Sequence, residues 1–370
     1  MSTVQITKLA MPKWGLSMTE GTLVQWLVEE GAELHSGDEA VEVESEKINN
    51  AVETPGPGKL RRKVAEEGDV IPVGGLLGVI AADEVSDSEI DEFVEEFKET
   101  FVPEEEAEGG PEPETVEVGG RRIQYLQIGE GGTPLVLLPG FGGDINIFVF
   151  NQEALAADRA VYAVDLPGHG GSSKDVGDGG LDFLAGVVTG FLDEMGIEKA
   201  HLAGHSMGGA VAGTFALAHP DRVESLTLIS SAGFGKEINT YYIEGFIAAN
   251  RRKEMKGTLQ TLFADPGLVT RDLVNDVLQY KRLDGVDDAL RAIADSVFPN
   301  GEQARTLDLS GLDAPVLGIW GEDDAILPSS HARNLPQGAQ VEVIEGAGHM
   351  PQMEAAGRVN RKLGEFLDGS

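Results

Sequence analysis

Apolar residues beyond Thr115 occur in short, unbroken runs, and most of these runs are separated by stretches with helical periodicity. Unbroken apolar runs are typical of strands that are buried on both faces of a parallel sheet. The pattern therefore predicts an α/β domain over residues 116–370. Its strands are expected at Leu135–Leu138, Val161–Val164, Ala200–Ala203, Leu226–Ile229, Val316–Ile319 and Val341–Ile344.

The alternation of strands and helices is interrupted by a long, mixed and largely helical pattern that contains no clear strand. A stretch of this kind between two strands indicates an insertion that lies over the sheet. We therefore expect a helical cap over about residues 234–300.

The first part of the chain has shorter β-rich runs and a weak internal repeat. Val28-Glu29-Glu30-Gly31 and Ala65-Glu66-Glu67-Gly68 are 37 residues apart, and each is followed by a glycine and an apolar run. Repeated short strands with glycine at the turns predict two similar half-sheets that close on each other. We expect a small all-β domain over residues 1–82.

Residues 83–115 are expected to form an acidic linker with one short amphipathic helix. Ser88 and Asp91 are placed for a capping box. The apolar stripe either packs on one of the chain's own domains or serves as a docking helix for a partner enzyme. The stripe consists of residues at helical spacing, namely Ile90, Phe93, Val94, Phe97 and Phe101.

The chain carries 63 acidic and 28 basic residues, which gives a formal net charge of −35. A field of this sign repels phosphate backbones, so nucleic acid is not expected as a partner. The cysteine count is 0, which excludes disulfides, thiolate metal sites and a cysteine nucleophile. The sequence has no signal-peptide pattern and no apolar run long enough for a membrane helix, so we expect a soluble, cytoplasmic protein.

The segment Gly204-His205-Ser206-Met207-Gly208 lies between a predicted strand and a predicted helix. Small residues here allow the sharp turn that lifts a serine hydroxyl above the sheet edge. A glycine-rich turn without a catalytic role explains the segment less well, because both the strand and the helix are present. Ser206 is therefore the candidate nucleophile.

A serine nucleophile needs a base, and the base needs a group that orients it. His349 follows the last predicted strand, and the adjacent residues Asp323 and Asp324 follow the strand before it. Ser206, an acid and His349 thus occur in the chain order that a nucleophile elbow requires. The candidate triad is Ser206, Asp324 and His349, with Asp323 as the alternative acid.

The other histidines in glycine-rich segments are expected to be structural. His201 and His205 have the spacing of a helical metal pair, but they lie on a strand and a turn, so no metal site is expected. His169 is expected to stabilise the loop Asp165-Leu166-Pro167-Gly168-His169-Gly170.

The loop Leu138-Pro139-Gly140-Phe141-Gly142-Gly143 also follows a predicted strand. The backbone N–H groups of Phe141 and Met207 are the candidate oxyanion hole. Together these motifs resemble those of the α/β-hydrolase superfamily over residues 116–370. The family's spacing from Gly321 to the acid and from the acid to Pro328 favours Asp324 over Asp323.

Lys47 lies in Glu44-Ser45-Glu46-Lys47-Ile48-Asn49-Asn50, between two β-rich runs, where a hairpin would present it to solvent. This segment resembles the lipoyl-attachment hairpin of 2-oxo-acid dehydrogenase acyltransferases, and residues 11–18 resemble the start of those domains. Biotin carriers usually flank their lysine with methionine, whereas Lys47 lies between Glu46 and Ile48. The resemblance implies lipoate on Lys47.

A lipoyl domain joined to a serine-triad domain resembles the dihydrolipoamide acetyltransferases of acetoin dehydrogenase complexes over essentially the whole chain. The resemblance implies acetyl transfer from S-acetyl-dihydrolipoyl-Lys47 to coenzyme A. It also implies a thiamine diphosphate-dependent acetoin dehydrogenase component and dihydrolipoamide dehydrogenase as partners, and it is compatible with a homo-oligomer. The chain lacks the His-x-x-x-Asp-Gly motif and the basic subunit-binding domain that are usual in lipoyl acyltransferases.

Two mechanisms and two other functions are alternatives at this point. Ser206 either forms an acetyl-enzyme, which the complete triad favours, or holds the oxyanion while His349 deprotonates the thiol for direct transfer. The other functions are a lipoyl-tethered serine hydrolase, acting as an esterase, thioesterase or C–C hydrolase, and an inactive carrier scaffold. The intact triad argues against a scaffold, and exclusion of water by the cap would separate transfer from hydrolysis.

Overall fold

The computed structural model describes residues 6–12, 19–35, 37–45, 48–101 and 111–369. The chain divides into two compact units, Met1–Gly110 and Pro111–Ser370. Each unit has its own sheets and its own hydrophobic core.

The N-terminal unit contains two four-stranded antiparallel sheets. Their strands are β1 (Ile6–Ala10), β2 (Glu20–Trp26), β3 (Glu33–Leu34), β4 (Glu39–Ser45), β5 (Ile48–Glu53), β6 (Gly58–Lys63), β7 (Val70–Pro72) and β8 (Leu76–Ala81). The strand orders are β1-β8-β6-β3 and β5-β4-β2-β7. Leu9, Leu23, Val41, Leu60 and Leu77 are fully buried in one core cluster.

The internal repeat of the sequence is the origin of this symmetry. Strands β3 and β7 begin 37 residues apart, and so do β4 and β8. Strands that are equivalent in the repeat take the same place in the two sheets. Strand β8 has the place of β4, and β3 has the place of β7. The predicted pair of similar half-sheets is therefore confirmed.

Helix α1 (Asp87–Thr100) follows the last strand of this unit and packs on it. The predicted capping box was wrong by two residues, because Ser86 is the N-cap and Glu89 closes the box. Ile90 and Val94 are buried against apolar residues of β8, and Asp87 forms an ion pair with Arg61 of β6. The apolar stripe thus packs on the chain's own N-terminal unit, the first of the two explanations considered.

The C-terminal unit is built on a mixed eight-stranded sheet with the order β16-β15-β14-β13-β11-β12-β10-β9. Its strands are β9 (Glu114–Val118), β10 (Arg121–Ile128), β11 (Leu135–Leu138), β12 (Val161–Val164), β13 (Ala200–His205), β14 (Val223–Ile229), β15 (Val316–Gly321) and β16 (Gln340–Ile344). Strands β11 to β16 pair in parallel, and β9 and β10 are antiparallel additions at one edge. All six predicted strands are present.

Helices cover both faces of this sheet. The helices of the C-terminal unit are α2 (Gln152–Leu155), α3 (Leu181–Glu194), α4 (Met207–Ala218), α5 (Thr240–Ala248), α6 (Arg252–Leu259), α7 (Arg271–Lys281), α8 (Val286–Val297), α9 (Pro351–Glu354) and α10 (Ala356–Asp368). Leu135 and Leu137 belong to the core cluster that includes α10, whereas Val136 and Leu138 belong to the cluster with α3 and α4. This alternation explains why β11 is apolar at every position.

Helices α5 to α8 occur between β14 and β15 in the chain, and we name these four helices the cap. The predicted cap bounds of about 234–300 stay a prediction. Across the described parts of the chain, no helix combines the length and apolar character that crossing a bilayer requires.

Candidate active site

Ser206 lies at a sharp turn between the end of β13 and the start of α4. Its backbone has φ 54° and ψ −120°, a conformation that residues other than glycine rarely adopt. The turn is held by backbone hydrogen bonds, including one of 2.9 Å from Ser206 N to Ile229 O and one of 3.0 Å from Ala232 N to Ser206 O. The buried nucleophile candidate is thus fixed at the sheet edge, as a nucleophile elbow requires.

The two glycines that flank Ser206 are required by close backbone packing. A Cβ atom on Gly204 would lie 2.3 Å from Gly208 O, and one on Gly208 would lie 2.1 Å from Leu138 O. Neither position has room for a side chain, because the crowding atoms belong to the backbone. The elbow therefore needs glycine at both positions.

Asp324 and His349 form a hydrogen-bonded pair at the same edge of the sheet. His349 Nδ1 lies 2.8 Å from Asp324 Oδ2, and both side chains are almost completely buried. Burial alone raises the pKa of Asp324, but the adjacent His349 and two backbone donors outweigh it, so the pKa is lowered overall. The rival acid Asp323 is exposed, and its N–H donates to Ala347 O.

His205 connects the turn at Ser206 to the loop between β16 and α9, which carries His349 and is named the histidine loop. Its ring lies 4.8 Å from the His349 ring, and its Nε2 donates a 2.8 Å hydrogen bond to His349 O. Burial lowers the pKa of His205 to about 3, so this ring stays neutral. Among the described residues, no hydrogen bond joins the Ser206 hydroxyl to the His349 ring. Hydrogen bonds between a nucleophile and its base often shorten only when substrate binds.

The loop after β11 approaches the elbow from the other side. A Cβ atom on Gly140 would lie 2.8 Å from Ser206 Cβ, so this glycine is in contact with the nucleophile candidate. Within the described chain, the N–H groups of Phe141 and Met207 donate to no protein acceptor. The carbonyl of Phe141 accepts a 2.9 Å hydrogen bond from the Tyr242 hydroxyl of the cap, so the cap contacts the peptide that follows Phe141.

Asp165 holds this loop in place, a role that the sequence motifs did not identify. Its carboxylate is fully buried and accepts hydrogen bonds from Ile145 N at 2.9 Å, Gly171 N at 2.8 Å and Gln124 Nε2 at 3.0 Å. Burial, followed by the charge of Asp144, raises the pKa of Asp165 to about 7. An acidic residue directly after a buried strand was the signal that could have identified it.

The remaining histidines have structural partners. His169 is fully buried in the loop where the sequence expects it, its Nδ1 lies 3.1 Å from Pro167 O, and burial lowers its pKa to about 4. His201 Nδ1 contacts Ser225 Oγ at 2.8 Å, so it shares no partner with His205. No cluster of three metal-binding side chains occurs in the described part of the molecule.

The cap and the histidine loop are joined by two further contacts. His349 N donates a 2.8 Å hydrogen bond to Leu262 O, at the end of the helical segment that begins with α6. The carboxylate of Glu354 accepts hydrogen bonds from Ala264 N at 2.6 Å and from Gly348 N at 2.7 Å. The position of His349 therefore depends on the cap.

Lys47 lies outside the described residues, as does its neighbour Glu46. The strands on either side, β4 and β5, are described, and the pairing closest to Lys47 is Ser45 with Ile48. A paired hairpin with only two residues between its strands is compatible with a lysine that carries a covalent group.

Comparisons with known proteins agree with this division of the chain. Residues 7–80 match a profile described as biotin-requiring enzyme, and residues 133–356 match one described as alpha/beta hydrolase fold. Two relatives bear the description "dihydrolipoyllysine-residue acetyltransferase component of acetoin cleaving system". The one from Pseudomonas putida is 51% identical over 98% of this chain and 99% of the relative, and the one from Cupriavidus necator is 46% identical over 98% of both.

Relatives of the C-terminal unit alone have other activities. A 2-hydroxy-6-oxononadienedioate/2-hydroxy-6-oxononatrienedioate hydrolase from Paraburkholderia phymatum is 34% identical and covers 66% of this chain and 91% of the relative. A solved meta-cleavage product hydrolase from Pseudomonas fluorescens IP01 has a TM-score of 0.64 at 24% identity and covers 69% of this chain and 97% of that chain. At this identity the structural likeness concerns the fold alone.

Proposed function

This chain belongs to the family of dihydrolipoyllysine-residue acetyltransferase components of acetoin cleaving systems, and from that premise we propose how its residues move the acetyl group. The acetyl donor is a lipoyl group on Lys47, which supplies the acetyl as a thioester when it is bound. The acceptor is coenzyme A. Ser206, His349 and Asp324 carry out the transfer.

The observation that carries this proposal is a strained serine at the same sheet edge as a buried Asp–His pair, with the His205 ring 4.8 Å from the ring of His349. Ser206 Oγ attacks the thioester carbonyl carbon while its proton passes to His349 Nε2. The carbon–sulfur bond then breaks, and His349 returns the proton to the departing sulfur. Asp324 keeps the Nδ1 proton of His349 in place and stabilises the charged ring.

The second half of the reaction repeats these steps with the acceptor. The thiol of coenzyme A gives its proton to His349, and the sulfur attacks the acetyl carbon on Ser206. The bond from the acetyl carbon to Ser206 Oγ breaks, and Oγ takes the proton back from His349. One thioester is consumed and one is formed, so the exchange is close to balanced in energy.

The N–H groups of Phe141 and Met207 stabilise the negative oxygen in both tetrahedral states. Their lack of protein acceptors within the described chain supports this assignment. Loss of one such donor typically costs about 3 kcal/mol in the transition state. Phe246 and Phe298 pack edge-on against Phe141 and form an apolar wall, which favours transfer over hydrolysis by excluding water.

The other components of the system follow from the chemistry that surrounds this step. Acetoin must be cleaved to load the acetyl group, and the dithiol left after transfer must be reoxidised. We therefore assign a thiamine diphosphate-dependent acetoin dehydrogenase component and dihydrolipoamide dehydrogenase as partners.

The transfer step is tested with synthetic S-acetyl-dihydrolipoamide, with and without coenzyme A, by measuring acetyl-coenzyme A and free acetate. Wild type is expected to form mainly acetyl-coenzyme A, and Ser206→Ala to lose at least about a thousandfold of this activity. Ser330→Ala, at an exposed serine, is the matched control. Acetate formed at the same rate in both conditions would contradict transferase function.

Two further measurements test the separate parts of the proposal. With acetyl-labelled donor and no acceptor, label is expected on wild-type protein and not on Ser206→Ala; label on neither would indicate direct transfer. Intact mass after lipoylation is expected to show one lipoyl group on wild type and none on Lys47→Arg.

A further inference from the structure

The start of cap helix α6 carries a cluster of positive charge in a strongly acidic protein. Arg251, Arg252, Lys253 and Lys256 are all exposed, and Glu254 is the one acidic residue within this segment. None of the four cations has an ion-pair or hydrogen-bond partner for its side chain in the described chain. We name Arg251, Arg252, Lys253 and Lys256 the α6 basic cluster.

Many cations elsewhere in the C-terminal unit have hydrogen-bond or ion-pair partners, in contrast to this cluster. Lys174 and Lys281 each donate to three backbone carbonyl groups. Arginine and lysine residues in ion pairs with carboxylates include Arg121, Arg159, Lys199, Arg222, Arg305 and Arg358. The α6 basic cluster is therefore available for an external anion.

Both ends of the segment that holds the cluster touch the candidate active site. Phe246, five residues before Arg251, packs edge-on against Phe141, and five residues span at most about 18 Å. At the other end, Leu262 O accepts the hydrogen bond from His349 N. Short stretches of chain thus connect the cluster to residues that contact the Phe141 loop and the histidine loop.

We propose that the α6 basic cluster binds the phosphate groups of coenzyme A, an inference that rests on the proposed function. Coenzyme A has a diphosphate and a 3′-phosphate, whereas this chain has a net charge of −35, so its approach requires a local region of opposite sign. Arginine forks match phosphate oxygens in geometry and charge. The pantetheine arm is comparable in length to four extended residues, about 14 Å, which is of the same order as the maximum span of the five residues from Phe246 to Arg251.

The test compares coenzyme A with pantetheine, an acceptor that has the same thiol arm but no phosphates. The triple variant Arg251→Ala, Arg252→Ala, Lys253→Ala is measured with S-acetyl-dihydrolipoamide as donor. We expect its KM for coenzyme A to rise at least about tenfold, with kcat and the kinetics with pantetheine unchanged. The salt dependence of the KM for coenzyme A is expected to weaken in the variant.

The matched control removes the same charge from other exposed positions of the cap, namely Arg271→Ala, Arg282→Ala and Arg291→Ala. An equal rise of KM in the control would overturn the proposal, because it would indicate a general effect of charge. An unchanged KM in the cluster variant would also overturn it. So would slower transfer from the tethered lipoyl group at an unchanged KM for coenzyme A, which would assign the cluster to an acidic protein surface.

Calorimetric titration of full-length protein with coenzyme A separates this proposal from the proposed function, because it needs no turnover. Weakened binding in the cluster variant alone supports the phosphate site, whatever the outcome of the transfer assay. Failure of wild type to acetylate either acceptor would contradict the proposed function, and equal coenzyme A binding by wild type and variant would contradict the phosphate site.

Discussion

Ser206 combines an ordinary side chain with a rare backbone conformation. A non-glycine residue at a φ of 54° costs on the order of 1–3 kcal/mol, and such strain persists only where the surroundings impose it. Here the hydrogen bonds to Ile229 and Ala232 and the close approach of Gly140 impose it. The sequence motif predicts this geometry because only its glycines allow it.

The assignment of Asp324 as the orienting acid can be tested by a single amide substitution. The N–H groups of Ile326 and Leu327 both donate to Asp324 Oδ1, so an asparagine would place its oxygen there and its amino group toward His349. The His349 ring would then adopt the wrong tautomer. We expect kcat for Asp324→Asn to fall by about 10⁴-fold with normal folding, as measured by initial rates and circular dichroism.

Asp323→Asn is the control for this experiment, because Asp323 is the adjacent exposed carboxylate. Its kcat is expected to stay within about twofold of wild type, since an exposed carboxylate away from the reacting groups contributes little. A large loss in Asp323→Asn with a small loss in Asp324→Asn would reverse the assignment.

Asp165 should make the stability of the C-terminal unit dependent on pH. The pKa of Asp165 is about 7 in the folded chain, and an unfolded aspartate has a pKa of about 4. Between these values the folded state holds a proton that the unfolded state has lost. The free energy of unfolding must therefore fall as pH rises from about 4 to about 7, by up to about 4 kcal/mol from this group.

This dependence is measured by urea unfolding of wild type and Asp165→Asn at pH 5 and pH 8. Asparagine does not titrate, so the stability advantage of wild type over Asp165→Asn is expected to be larger at pH 5 than at pH 8. Asp313→Asn, at an exposed position, should show no such change. An advantage that grows toward pH 8 would contradict the raised pKa.

At the scale of elements, the cap is connected to the catalytic loops by a small number of specific contacts. Tyr242 of α5 bonds Phe141 O, and the segment after α6 bonds His349. A cap that only shielded the site from solvent would not require hydrogen bonds to the loops that carry Phe141 and His349. The contacts make the geometry of the candidate site depend on how the cap is seated.

Glu354 offers the clearest test of this dependence. Its carboxylate joins Ala264 in the cap segment to Gly348 beside the candidate base, and Glu354→Ala would leave both half-buried N–H groups without an acceptor. We expect a loss of about 2 kcal/mol in stability and about a tenfold loss in kcat, measured by urea unfolding and initial rates. Glu354→Gln keeps one acceptor oxygen and should lose less.

The exposed Glu365 on α10 provides the comparison for this variant. Glu365→Ala is expected to leave stability and kcat within experimental error. If Glu354→Ala behaved like Glu365→Ala, the cap would not position His349.

Helix α1 shows where sequence patterns reach their limit at this scale. Its amphipathic spacing predicted the helix correctly, but the capping box was placed at Ser88 rather than Ser86. Serine and acidic residues are frequent in this segment, so several pairs satisfy the capping pattern. Which serine becomes the N-cap depends on where β8 ends and on how Ile90 packs against β8.

For the whole molecule, the two compact units predict two separate unfolding events. Replacing Ile90 and Val94 by alanine in the full chain removes the apolar anchor of α1 and should destabilise the N-terminal unit by about 3 kcal/mol or more. The C-terminal transition and the transfer rate from free S-acetyl-dihydrolipoamide are expected to stay unchanged. Calorimetry and activity assays measure both.

Glu92→Ala, on the exposed side of α1, controls for the loss of helix surface and should change neither transition. A parallel loss of the C-terminal transition in the Ile90 and Val94 variant would show that the two units unfold together. The domain boundary at residue 82 stays a prediction, and α1 belongs to the compact unit Met1–Gly110, in which it packs on β8.

Local constraints in the sequence determined the two folds, the strand positions and the chemical types of the active-site candidates. Apolar runs specify buried strands, the 37-residue repeat specifies paired half-sheets, and the glycines around Ser206 specify an elbow. These features can be inferred from sequence because each depends on residues that are close along the chain or on a fixed period.

The tertiary structure alone decided which distant residues meet. The roles of Asp165 and Glu354, and the links from Tyr242 and Leu262 to the site, depend on contacts between segments far apart in the chain. Carboxylates are common in this acidic sequence, and only burial distinguishes the few that hold loops together. Burial follows from the packing of the whole unit, which no local pattern encodes.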